Sequence, residues 1–294
     1  MKTALVIGFW ISLTLLHAQT GVTLPTLNIS PQFVANLGPA NNETSGLVYF
    51  HDTLFSINDS GNAPALFAID PVTGATLHTW AFLNAQNIDW EALAASNSKI
   101  FIGDFGNNMG TRSFFEIYQV ALTDLPIADT LPTLKSTFYY PDQSSGSLPM
   151  NAHNFDAEAM VWKNDSLHIF SKNWENFWTK HYVLPSMWQD TIAATLLDSF
   201  QVNGLITDAA YDAQHDQFYL LGYQQQSSGL YNTFMWLLWD FPNGIFDGKR
   251  RRLELGSTLS LAQTEGICIT GAYSGLISGE QINSVITIPP KIHS

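Results

Sequence analysis

Apolar residues in this chain fall into short runs bounded by Gly, Asn, Asp and Pro. GLVYFHDTLFSIND (46–59), SLHIFSKNW (166–174), KHYVL (180–184), QFYLLGY (217–223), FMWLLWDF (234–241) and SVITI (284–288) are rich in Val, Ile, Phe, Tyr and Trp. These side chains suit a pleated, half-buried strand. No long stretch carries a convincing 3.6-residue period, and Met187–Phe200 is the best helical candidate. Many short strands on a chain of 294 residues imply a sandwich, a barrel or a propeller.

Internal repeats choose among these. SGLVYFHDTLFSIND from Ser45, EALAASNSKIFIGD from Glu91, EAMVWKNDSLHIFSK from Glu158, DAAYDAQHDQFYLLGY from Asp208 and EGICITGAYSGLISGE from Glu265 share one layout. An oxygen-bearing side chain comes first, then a small residue, an apolar strand, a turn and a second apolar strand. The heads are 46, 67, 50 and 57 residues apart, and the pieces before Ser45 and after Glu265 add up to one more interval. The pattern predicts an all-β, five-bladed β-propeller, with six blades as the alternative. A strand from the N-terminal side, within Gln32–Leu37, completes the last blade and hides a sheet edge.

Composition narrows the function. Lys and Arg total 12 against 25 Asp and Glu, a net charge of −13. That argues against nucleic acid, whose phosphates demand clustered cations, and against an anionic membrane surface. The one basic run, Lys249–Arg252, reads as a solvated outer strand edge. Lys2 followed by the apolar run Ala4–Leu16 and His17-Ala18-Gln19 reads as a signal peptide over residues 1–18. A single propeller domain then occupies 19–294, exported to a periplasm or secreted, with no membrane anchor. Cys268 is the single cysteine, so no internal disulfide forms.

The heads carry the candidate chemistry. On the innermost strand of each blade, Ser45, Glu91, Glu158, Asp208 and Glu265 would form a ring of inward oxygens around the channel. Ca2+ is the natural occupant, since it takes six to eight oxygens, and no His or Cys joins the column to favour zinc. The polar loop Gly103–Asn108, with Arg112 beyond it, places Asp104, Asn107, Asn108 and Arg112 as candidate ligand contacts at the channel end. Asn58 and Asp59 are the equivalent in blade one. SKNWENFWTKHY sets Lys172 and Lys180 around Trp174, Phe177 and Trp178, a candidate stacking site for a flat ligand. No Gly-x-Ser-x-Gly, Walker loop, Rossmann fingerprint or His-Glu-x-x-His occurs.

The ring resembles that of the calcium-activated nucleotidases (apyrases), whose repeat heads Ser45, Glu91, Glu158 and Glu265 match and from which Asp208 departs. ETSGLVYFHDTLFSIND and TEGICI are similar to that family's first- and last-blade segments. DWEALA…IFIGDFGNNMGTRSFFEIYQV, DAEAMVWKNDSLHIFSK and ITDAAYDAQHDQFYLLGY resemble exported bacterial propellers of the SdiA-regulated and phytase-esterase-like groups. The resemblances imply an exported propeller with Ca2+ on its axis. The expected role is binding of a small molecule, glycan or protein. The alternative is metal-dependent hydrolysis of a phosphoester or phosphoanhydride.

Overall fold

The structure is a computed structural model that describes residues 21–125, 129–186, 188, 190–284 and 287–294. The leader expected over residues 1–18 lies outside them. The strands assemble into five blades around one axis. From the axis outward, blade one is Thr44–Phe50, Thr53–Asn58, Ala65–Ile69 and Thr76–Phe82. Blade two is Trp90–Ala95, Lys99–Asp104, Phe115–Ala121 and Leu134–Tyr139, and blade three is Ala157–Lys163, Ser166–Ser171, Thr179–Pro185 and Thr195–Phe200. Blade four is Leu205–Asp212, Gln217–Gln225, Tyr231–Trp239 and Lys249–Ser257. Gln263–Gly271, Ser274–Glu280, Lys291–His293 and Phe33–Asn36 make blade five. The inner strands neighbour one another in the order one, two, three, four, five, one, which closes the circle.

Closure uses the strand predicted for it. Phe33–Asn36 pairs antiparallel with Lys291–His293, and Gln32 and Ser294 exchange backbone hydrogen bonds of 2.8 and 2.9 Å. Just before it, Val22–Asn28 runs parallel to Lys249–Ser257 as a fifth strand of blade four. The segment 22–36 therefore stitches blades four and five together from outside. Thr130–Leu131 and Ile192–Ala193 add similar parallel outer strands to blades one and two.

Two expectations are corrected here. Within the helix expected over Met187–Phe200, Ile192–Ala193 and Thr195–Phe200 are strands, the second pairing with Thr179–Pro185 as the outer edge of blade three. Lys249–Arg252 is not a solvated edge, because Val22–Asn28 covers it. Arg250 and Arg252 are buried, their guanidinium groups donate to the carbonyls of Phe246 and Val202 at 2.8 and 2.7 Å, and they lie over the rings of Phe200 and Phe234. Two of the four basic residues, Arg250 and Arg252, thus form an internal brace, while Lys249 stays exposed.

Apolar faces of adjacent blades pack to give one cluster per interface. Trp80, Trp90 and Tyr118 lie between blades one and two, and Phe101, Phe138 and Tyr182 between two and three. Phe170, Phe218 and Phe234 fill the next interface. Gly46 stands where the inner strand of blade one approaches blade two. Its φ is +61°, and a Cβ there would fall 2.6 Å from the Leu93 nitrogen.

Deleting Gln32–Leu37 should cost at least about 3 kcal/mol, roughly 10 °C in Tm, by opening blade five and exposing Leu37. A truncated protein that melts like the full chain would contradict closure by this strand. Gly46→Ala should cost at least about 2 kcal/mol, because positive φ and backbone overlap act together. Equilibrium urea unfolding measures it.

Candidate functional site: an acidic mouth on the propeller axis

All five inner strands carry a bulge at the same level. Gly46, Glu91, Glu158, Thr207 and Glu265 each lack a cross-strand partner between two paired neighbours. A bulge re-aims the side chain it carries. Here it lets Glu91, Glu158 and Glu265 line a cavity of about 180 Å3 at one end of the axis. This is why strands that are otherwise buried open on carboxylates. The column Ser45, Glu91, Glu158, Asp208, Glu265 is one residue out of step with the bulges in blades one and four, where Gly46 and Thr207 hold the equivalent places.

Ser45 and Asp208 consequently sit differently from the three glutamates. Ser45 lines the mouth, but its hydroxyl donates to the Glu91 carbonyl at 2.7 Å, tying blade one to blade two. Asp208 is fully buried beneath the mouth. Its Oδ2 accepts from the Ile267 N–H at 2.7 Å, and the backbone N–H groups of Ala209 and Leu47 lie near enough to favour its charged form. One carboxyl group thereby joins the inner strands of blades four, five and one. Its Oδ1 has no partner, and burial pushes its pKa well above the usual carboxylate range.

The mouth itself is crowded with acid. Asp59, Asp89 and Glu91 present oxygens that all lie within 4.8 Å of one another. Glu158 pairs with Lys172, Oε1 to Nζ at 2.9 Å, both side chains being buried. Glu265 and Glu280 complete the lining. Burial first, and neighbouring carboxylates second, raise Glu91 well above its ordinary pKa and Asp89 to about 7. Burial also pushes Glu265 up to about 7, against the pull of Lys172, and Glu280 to about 9, with Glu265 adding to the shift. Glu158 is raised because burial outweighs the attraction of Lys172. Burial disfavours the Lys172 charge, yet Glu158 and its acidic neighbours hold the ammonium protonated. Excess negative charge in a low-dielectric cavity must be met by protons or by a cation.

The other candidate residues divide by role. Asp104 is fully buried; its carboxylate accepts from the Asp89 N–H at 3.1 Å and pairs with Arg112 at 2.8 Å. Arg112 also donates to the carbonyls of Asp104 and Gly106. The Asn107 backbone N–H donates to Asp156 at 2.6 Å, and its side chain donates to the Phe155 carbonyl at 3.1 Å, clasping blade two to blade three. Asp104, Asn107 and Arg112 thus brace the loop, whereas Asn108, Asp59 and Lys172 line the mouth. Asn58 lies beside Asp59 and donates to the Ala40 carbonyl at 2.8 Å. The loop glycine has a steric reason, since a Cβ at Gly106 would fall 2.4 Å from the Glu91 carboxylate.

Sequence reasoning missed Asp89, Glu280, Tyr223 and Gln263. The signal for Asp89 was present, two residues before Glu91, on the alternation of an extended chain. Tyr223 and Glu280 lie on the second strand of their blades at the level of Lys172, which just follows its own, a correspondence that only the register reveals. A second cavity of about 320 Å3 adjoins the mouth and shares Trp174, Tyr223 and Gln263 with it. Tyr231, Leu230 and Leu259 form its far side, so an aromatic shelf leads away from the acidic pocket. The Trp174 ring is fixed by its N–H bond to Asp156 at 2.7 Å.

The raised carboxyl groups set a pH dependence. Above about pH 4 the unfolded chain has released protons that Asp89, Glu265 and Glu280 still hold when folded. The folded state then binds more protons than the unfolded state, so stability falls as pH rises. Protein stripped with EDTA should lose stability from about pH 5 to about pH 9 in urea titrations at constant ionic strength. A flat or rising profile over that window would contradict the assignment.

No protein-family model matches the chain, and no curated protein matches it by sequence. Among solved structures, the catalytic domain of a GH62 alpha-L-arabinofuranosidase from Coprinopsis cinerea is 14% identical, over 92% of this chain and 97% of that one, with a TM-score of 0.53. An alpha-L-arabinofuranosidase from Podospora anserina, solved with cellotriose, is 10% identical over 91% and 96% of the two chains, with a TM-score of 0.49. A mannose phosphorylase from Leishmania mexicana, solved with phosphate, is 11% identical over 90% and 88%, with a TM-score of 0.49. At these identities the likeness is one of fold: this chain is a five-bladed β-propeller.

Proposed function

We propose that the axial mouth binds a divalent cation, and that cation and aromatic shelf together bind a polyhydroxylated ligand such as a glycan. The observation that carries this reading is the convergence of the Asp59, Asp89 and Glu91 oxygens within 4.8 Å, two of these residues, Asp59 and Glu91, lining the axial cavity. The donor set is all oxygen, which suits Ca2+ rather than a transition metal. Bound there, the ion would offset the acid excess and offer open coordination positions to hydroxyl groups of a ligand. Trp174 and Tyr223 flank the opening, with the Lys172 ammonium over both rings, and Trp174, the less buried of the two, is the ring on which a sugar would stack. The repeat heads that resemble those of calcium-activated nucleotidases also support calcium. The signal-peptide-like sequence of residues 1–18 supports an exported location for this role.

A second reading, hydrolysis of a glycosidic or phosphoester bond, is favoured by one observation. Burial brings Asp89 and Glu265 to about 7, within the range a proton-transferring group requires, while Glu280 is pushed to about 9. Glu265 would donate or accept the proton, Lys172 would orient an anionic oxygen, and the shelf would hold the leaving portion.

Adding Ca2+ at about a hundred times its Kd should stabilise the EDTA-stripped protein by about 2.7 kcal/mol, roughly 5–10 °C in Tm. Calorimetry should give one ion per chain, and Glu91→Gln should weaken binding at least about tenfold, or 1.4 kcal/mol. No heat and no shift in Tm would overturn the cation site. A screen of aryl glycosides, phosphoesters and nucleotides, with and without Ca2+, decides between binding and hydrolysis. Turnover that Glu265→Gln abolishes would favour the second reading.

A further inference from the structure

Blades four and five meet differently from the other pairs. Every other interface buries at least one aromatic ring, down to Phe67 between blades five and one. Between four and five the buried residues are Ala210, Leu221, Leu253, Leu255, Leu261, Ile267 and Ile277, all aliphatic. The interface is under-filled, and a cavity of about 360 Å3 remains there. Met235, Leu253 and Leu255 of blade four form one wall, and Ile267, Leu276 and Ile277 of blade five the other. Ile29 and Pro31, from the segment that stitches the two blades, lie over it.

Three observations say what fits. The lining is mainly aliphatic, with Asp212, Tyr219, Tyr273, Ser274 and Ser294 as its polar side chains, so water in the interior would find little to bond to. An apolar cavity of about 150 Å3 stays dry and accepts a benzene ring, so one of this size holds roughly a dozen heavy atoms. The slot lies between two sheet faces, whose separation of about 10 Å favours a narrow, extended guest over a broad one. At the rim, Tyr273 is 78% exposed and stacks on His215 at 4.5 Å, while Asp212 holds the His215 imidazole at 2.6 Å. A polar head has partners at that rim, and an aliphatic tail has the interior.

We propose that this inter-blade cavity binds one medium-length aliphatic chain, the tail of an alkyl alcohol or fatty acid, with its head at Tyr273 and His215. The site is separate from the acidic mouth and does not depend on the function assigned to it.

The test is calorimetry of the mature protein with straight-chain alcohols of increasing length, each below its aggregation limit, with Tm as a second readout. Binding should saturate at one molecule per chain. Affinity should rise about fourfold per methylene and level off once the chain reaches roughly a dozen heavy atoms. Met235→Trp and Leu276→Trp, which fill opposite walls, should each weaken binding at least tenfold while Ca2+ binding is unchanged. Retained cooperative melting identifies the folded variants, and two positions guard against one failing to fold. The proposal is overturned by non-saturable uptake, by affinity that climbs without limit, or by equal binding in a folded, filled variant. It is also overturned if the filled variants simply melt higher while the unmodified protein binds no alcohol, since the cavity would then be a packing defect.

Discussion

Five strands converge on one axis, and their backbone groups must stay paired where side chains have the least room. The structure meets this constraint by linking neighbouring inner strands directly. Ser45 donates to the Glu91 carbonyl, Thr207 donates to the Thr264 carbonyl at 2.8 Å, and Asp208 gathers N–H groups from blades four, five and one. The bulges that allow this geometry also turn Glu91, Glu158 and Glu265 toward the axis. Closure and the acidic mouth are therefore one feature of the backbone.

Charge then divides the axis. On one side of Asp208 lies the acidic mouth, with Lys172 as the cation that meets Glu158. On the other side, Leu47–Tyr49, Leu93–Ala95, Met160–Trp162, Ala209–Tyr211 and Ile267–Ile269 line a channel end to which no charged side chain contributes. A ligand of the mouth meets acid, a buried ammonium and an aromatic shelf, all held by loops that cross between blades. The Gly103–Asn108 loop serves this indirectly, since Asp104, Arg112 and Asn107 hold the strand that carries Asp89 and Glu91.

Much of the architecture was legible in the sequence. Short apolar runs, five similar segments and a split last interval pointed to five blades and to closure by the strand found at Phe33–Asn36. Three heads of the column, Glu91, Glu158 and Glu265, could be read because the repeat alignment puts them on the bulged position itself. The acid excess was visible in composition, although its concentration at one end of the axis was not.

Tertiary structure decided the rest, because it depends on register and on distant partners. A bulge shifts pairing by one residue; a glycine within a strand marks one at Gly46, but nothing local distinguishes Thr207 from Asp208 as the residue that lacks a partner. Arg250 and Arg252 became internal because a strand more than two hundred positions away in sequence covers the basic run. Asp59, Asp89 and Glu91 meet because the ends of two blades are folded against each other. The sequence by itself determined the alternation and repetition that make blades. Only the closed ring, which fixes register and proximity together, determined which carboxylates share the mouth.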